Sequence, residues 1–163
     1  MNNQTLTIIK YPHPLLRKKS EEVKEITPEI EQFSQEMKQV MIKNQGVGLA
    51  APQVGVLKRI MVAQTKNGLE VLINPVILKK SKKKEIMEEG CLSFPKLFLK
   101  IKRPREVEVE FLNLRGKKKK IKASSWEARI FQHEIDHLNG ILFIDRIPFW
   151  QRCLIKYQLK FSK

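Results

Sequence analysis

The apolar pattern of the chain predicts an α+β fold, with mainly antiparallel sheets around a central helix that bears an H-E-x-x-H motif. One helix precedes the sheets and another follows them. Three observations carry this. Ile30, Phe33, Met37, Val40 and Met41 recur at helical spacing. From about residue 57 to 122 the pattern changes to short apolar or alternating runs divided by turn signals. Residues 124–140 then return to helical spacing around His133-Glu134-Ile135-Asp136-His137.

Composition narrows the class. A chain of 163 residues is expected to form one catalytic domain over 1–163, large enough for a proper core. Its 42% hydrophobic and 30% charged residues are ordinary for a globular protein. No apolar run approaches the roughly 18–20 residues that span a bilayer, so no membrane partner is expected. Two distant cysteines make no disulfide framework, and the N-terminus lacks a secretory pattern. The expected address is the cytoplasm. Lys+Arg number 32 against 17 Asp+Glu, a net +15 that favours a polyanionic neighbour. The runs 79–84 and 117–122 hold much of that charge without interleaved aromatics, as solvated loop and strand-end lysines also would.

Taken in order, Leu6, Ile8 and Ile9 lead into Tyr11-Pro12-His13-Pro14, where the prolines exclude regular helix. His13, flanked by prolines, reads as structural or solvent-facing. Thr27 as cap and Pro28 at the first position start a helix that ends near Asn44–Gly46. The small residues of Gly46–Gly55 suit close backbone approach to a ligand, or a tight connection under a sheet; the spacing excludes a phosphate loop. Ile60–Ala63 and Leu69–Ile73 flank a turn at Lys66-Asn67-Gly68, a hairpin signal. Residues 85–89 lead to Cys91. Val107, Val109 and Phe111 alternate with Glu106, Glu108 and Glu110 as a half-exposed strand, and Arg115-Gly116 turns it into a lysine-rich return strand. Ser124 with Glu127 reads as a capping box, and Gly140 as a stop. Ile141–Ile144 reads as a short strand, and an amphipathic helix is expected from about 149 to 160 after Pro148.

H-E-x-x-H sets two imidazoles one turn apart on a helix face, with the glutamate beside them to work as a base. Catalytic metal sites usually need a third protein donor and an open position. Downstream, Phe143 stands where a third histidine would, and Asp145 is the only acid after Asp136. The third donor therefore lies upstream or is a cysteine. Cys153 falls on the expected apolar face of the last helix with Trp150, Leu154 and Tyr157, and reads as packing. Cys91, between Gly90 and Leu92-Ser93, is the better candidate.

Three segments stand out together: Gly46-Val47-Gly48-Leu49-Ala50-Ala51-Pro52-Gln53, Glu89-Gly90-Cys91-Leu92-Ser93 and Gln132-His133-Glu134-Ile135-Asp136-His137. In order and spacing they resemble the three motifs of the peptide deformylases, and the Tyr11–Arg17 stretch is similar to that family's N-terminal segment. The resemblance covers about residues 6–148. Phe98 stands where the family often has arginine, His13 where an acid is frequent, and Trp126 where a smaller aliphatic residue is usual.

The resemblance implies a metal-dependent hydrolase that removes the formyl group from the N-terminal methionine of newly synthesised proteins. It assigns Cys91, His133 and His137 to the metal, Glu134 to proton transfer, and the Gln53 amide and Leu92 N–H to the oxyanion. Val47, Gly48 and Ile130, with His133, would bind the substrate. The metal it implies is Fe(II), with Zn(II), Ni(II) or Co(II) as possible substitutes. Asp136 would anchor its helix by pairing with Arg103 or Arg129. Implied partners are N-formylmethionyl nascent peptides and, weakly, the ribosome surface, met through the basic C-terminal helix. No sequence-specific nucleic acid is expected. Two other classes compete: a zinc peptidase, against which the missing downstream ligand counts, and a nucleic-acid-binding protein, which lacks aromatic platforms.

Overall fold

In the computed structural model, residues 6–161 are described, with side chains through Leu159. The elements run α1 (Pro28–Lys43), β1 (Gly48–Ala50), β2 (Ile60–Thr65), β3 (Gly68–Lys80), β4 (Lys84–Cys91), β5 (Phe94–Pro104), β6 (Glu106–Leu112), β7 (Lys118–Ser124), α2 (Ser125–Leu138) and α3 (Phe149–Phe161). Three 3-10 turns, Pro14–Arg17, Ala51–Val54 and Phe143–Arg146, join them. The strands form a five-stranded antiparallel sheet, ordered β1-β2-β3-β6-β7, and a two-stranded antiparallel sheet of β4 and β5.

The larger sheet is covered on both faces, which explains its continuous apolar strands. Successive side chains point to opposite faces. Leu49, Ile60, Val62, Val71 and Ile73 meet Met37, Val40 and Met41 of α1. Ala50, Met61, Ala63 and Leu72 turn the other way, toward Ala128, Phe131 and Ile135 of α2. Val107, Val109 and Phe111 join that second core, with the intervening glutamates outside. A third core gathers Leu16, Phe94, Ile101 and Leu142–Ile144 around the smaller sheet.

Several local expectations are corrected. Ser124 caps no amide of α2, because its neighbour Ser125 adopts a left-handed φ of 52°, and Glu127 instead accepts from the Lys66 N–H at 3.1 Å. Thr27 sits at the start of α1 in extended backbone, also without a side-chain cap bond. Ile141–Ile144 is not a strand: residues 143–146 form a 3-10 turn whose Asp145 carboxylate accepts from the Leu142 N–H at 2.9 Å. The β5 strand went unread, although Leu97, Leu99, Ile101 and Arg103 alternate with exposed Phe98, Lys100 and Lys102. On α3, Cys153 is exposed, as are Trp150 and Leu154; Ile155 and Leu159 are the side chains that pack. Of the basic residues on and after α3, Arg152 is half-buried beside Asp145, and Lys163 and the Lys160 side chain lie outside what is described.

Candidate metal centre

Two elements bring the donors together. In α2 every residue from Glu127 to Leu138 is buried, including His133, Glu134 and His137. Their polar groups therefore need partners or a ligand. β4 delivers Cys91 at its last position, next to the tight connection into β5. The donor atoms of Cys91, His133 and His137 all lie within 4.8 Å of one another. The Cys91 Sγ stands 3.3 Å from His137 Nε2.

The orientation of the His133 imidazole is set from behind. His133 Nδ1 is 2.9 Å from the Glu89 carboxylate, which turns the other ring nitrogen toward Cys91. Glu89 is itself held by Arg103, at 2.6 and 2.9 Å, and by Arg129 at 2.8 Å. Burial would raise the Glu89 pKa, but hydrogen bonds from His133 and Arg103 hold it well below the usual carboxylate range. Burial likewise pushes His133 down, yet Cys91 on one side and Glu89 on the other outweigh it and raise its pKa well above that of a free imidazole. His137 is driven well below by burial and then by the neighbouring His133 charge, so it stays neutral.

The donor set fits a metal ion. One thiolate and two neutral imidazoles suit zinc, iron, cobalt or nickel. Two buried polar atoms beside the cluster, Glu134 Oε2 and His137 Nδ1, have no hydrogen-bond partner among the described residues. Burial raises the Glu134 pKa to about 7, with the His133 charge opposing and that of Glu89 reinforcing it.

A cleft of about 510 Å³ opens onto this cluster, lined by Val47, Gly48, Gln53, Leu92, Ile130 and Glu134 among others. Gln53 is fixed by its carbonyl, which accepts from the Ala50 N–H at 2.8 Å. Its Nε2 is left facing Ser93 Oγ at 3.3 Å and Cys91 Sγ at 3.5 Å. The Leu92 carbonyl accepts from Lys10 Nζ at 2.6 Å. Ile130 is buried, whereas Val47 is 57% exposed at the lip. Every site residue picked out from the sequence borders this one region, His137 from behind. The sequence had assigned no role to Arg103 and Arg129 in holding Glu89, or to Lys10, whose lone charge in an apolar N-terminal stretch was the available signal.

Gly48 is where the β1 backbone touches α2. A Cβ there would lie 2.9 Å from both Cδ and Cγ of Glu134. Gly48→Ala is therefore expected to displace that carboxylate and lower kcat/KM about 10²-fold, since a shift near 1 Å suffices for such a loss. Metal content should stay normal. Assay with elemental analysis checks both, and unchanged turnover would mean that Glu134 need not sit there.

Asp136 leaves the cluster on the other side. Its carboxylate accepts from Arg103 Nη1 at 2.6 Å and from Arg146 Nε at 2.9 Å, while Arg129 goes to Glu89 instead. Asp136→Asn removes the negative charge between two guanidinium groups, and breaking such a buried pair costs about 3 kcal/mol. The melting temperature should fall while the rate per folded, metal-loaded molecule changes little. Calorimetry beside active-site-normalised kinetics separates the two effects.

Comparison with known proteins agrees with this geometry. The sequence profile of the polypeptide deformylase family matches residues 5–152. The peptide deformylase of Thermotoga neapolitana is 44% identical over 146 residues, covering 90% of this chain and 89% of that protein. Among solved structures, a plant peptide deformylase 1B superposes with a TM-score of 0.91 at 37% identity, covering 98% of this chain and 90% of the other. The peptide deformylase of Ehrlichia chaffeensis in complex with actinonin gives 0.89 at 38% identity, covering 98% and 99%. A helix-borne histidine pair, a cysteine brought in from a strand, and a match over nearly the whole length lead to one conclusion: the chain belongs to the polypeptide deformylase family.

Proposed function

We propose that the Cys91–His133–His137 cluster is the reaction centre of this metal-dependent hydrolase, which removes the formyl group from the N-terminal methionine of new proteins, and that Fe(II) is its working metal. The observation that carries the residue roles is the convergence of three donor atoms within 4.8 Å at the floor of a peptide-sized cleft. Held by Cys91, His133 and His137, the ion would supply Lewis acidity, polarising the formyl carbonyl and making water nucleophilic at neutral pH.

The chain's own groups do the rest. Glu134, buried and without a partner at Oε2, takes the proton of the attacking water and returns it to the departing amine. Gln53, its carbonyl already engaged, offers its amide N–H to the developing oxyanion, and the Leu92 N–H is the second donor. Ile130 and Val47 line an apolar site for the methionine side chain, with the His133 ring. The peptide backbone pairs with β1, the outermost strand of its sheet, as an added strand.

On this reading, residues 1–163 form one catalytic domain, α3 included, with the histidine-bearing α2 at its centre, working in the cytoplasm. No described helix is long and apolar enough to cross a membrane. Protein purified without oxygen, analysed for metal and assayed for formate release from formyl-Met-Ala, tests it. Iron with deformylation supports it; hydrolysis of internal amide bonds instead would point to a peptidase.

The net charge of +15 supports weak attachment to ribosomal RNA by counterion release. Co-sedimentation with ribosomes is expected at low salt, falling steeply as salt rises and falling further when residues 152–163 are removed. Binding indifferent to both would sink the idea.

A further inference from the structure

We infer that the substrate path continues beyond the cleft, over the Phe98 ring and into a groove between β5 and α3, which selects apolar side chains at peptide positions three to six. The inference rests on the deformylase reading and adds the chemistry of the peptide downstream of methionine. The formyl end lies at the buried floor, by His133 and Glu134, so the rest of an extended peptide must run outward to the lip. Val47 forms one side of that lip. On the other side Phe98 lies opposite Gly90 in the β4–β5 register, with its ring so close that a Cβ on Gly90 would come within 2.7 Å of it.

Phe98 is 62% exposed, a large apolar surface at the mouth of a cleft. It also lines a second cavity, of about 390 Å³, with Lys100, Ile147, Gln151, Leu154 and Ile155. One side chain therefore borders both, and an extended peptide leaving the cleft on that side would cross its ring to reach the second. The second groove has α3 as its far wall, where Leu154 is 56% exposed. Each extended residue spans about 3.3 Å, so four residues past the second cover about 13 Å. An apolar side chain would find Phe98, Ile147 or Leu154 there, while a basic one would meet Lys100.

The test scans leucine through positions three to six of formyl-Met-Ala-Ser-Ser-Ser-Ser, using the parent, Phe98→Arg and Leu154→Glu. Leu154 is exposed on α3 and does not line the cleft, so folding and turnover of formyl-Met-Ala should be unchanged in Leu154→Glu. Phe98 stands at the lip, so for Phe98→Arg each leucine peptide is compared with that variant's own turnover of the all-serine parent peptide. In the parent, leucine at one or more positions should lower KM about tenfold, equivalent to about 1.4 kcal/mol, with kcat unaltered. Both variants should abolish that gain. No gain at any position, or a gain that survives in either variant, overturns the track while leaving deformylation intact. Failure to turn over formyl-Met-Ala in the parent overturns the deformylase reading, and the track with it.

Discussion

Cys91→Ala is expected to strip the metal and abolish turnover together, while Cys153→Ser leaves both intact. The contrast follows from where the two thiols sit. Cys91 ends β4 with its sulfur 3.3 Å from His137 Nε2, whereas Cys153 lies exposed on α3. Alanine leaves two imidazoles on one helix, one of them already engaged by Glu89, and two donors do not close a catalytic site. Contacts behind metal ligands are by themselves worth about 10–100-fold in metal affinity, so losing a ligand should exceed that. Metal per protein, measured after gel filtration, should fall to background for Cys91→Ala. Full metal retention would remove Cys91 from the ligand set; loss of metal in Cys153→Ser would assign the wrong cysteine.

Glu134→Gln should do the opposite, keeping the metal and losing the rate. The amide matches the carboxylate in size, so contact with Gly48 is preserved, and Cys91, His133 and His137 are untouched. What disappears is, among the described residues, the only buried carboxylate beside the cluster that has a free oxygen, Glu89 being fully engaged by His133, Arg103 and Arg129. Positioned proton transfer contributes about 10²–10⁴-fold, so kcat should fall at least 10²-fold with KM little changed. Elemental analysis and steady-state kinetics on one preparation decide it. Near-normal kcat at full metal content would take Glu134 out of the mechanism.

The sequence shows the donors more plainly than what holds them. His133, Glu134 and His137 are legible because helical spacing fixes their relative geometry, and Cys91 because few residues could complete the set. Glu89, Arg103 and Arg129 form a buried ion network whose partners lie up to 40 residues apart. Charged residues in a strand read as exposed until the fold encloses them. β5 was obscured by Pro95 and by Lys96 at a positive φ of 62°, although its alternation beyond them is regular. Residues 141–144 misled because a run of four apolar residues suits a strand and a buried turn equally well. Cys153 misled for a different reason. Helical spacing groups it with Trp150, Leu154 and Tyr157, but the side of α3 that meets the core belongs to Ile155 and Leu159.

A sheet with open rims can recruit another copy of itself, since exposed strand edges template aggregation. The five-stranded sheet has two rims, β1 and β7, and they are guarded differently. β1 is only three residues long and stands in a cleft, so it offers too little ladder for a full strand from a neighbour. β7 is seven residues long and lines no substrate cleft, and it carries Lys118, Lys119, Lys120 and Lys122. Docking a second β7 alongside would stack like charges. On the proposed function, the lysine run has a use that needs no nucleic acid: it keeps the β7 edge solitary while the β1 edge stays open to a peptide.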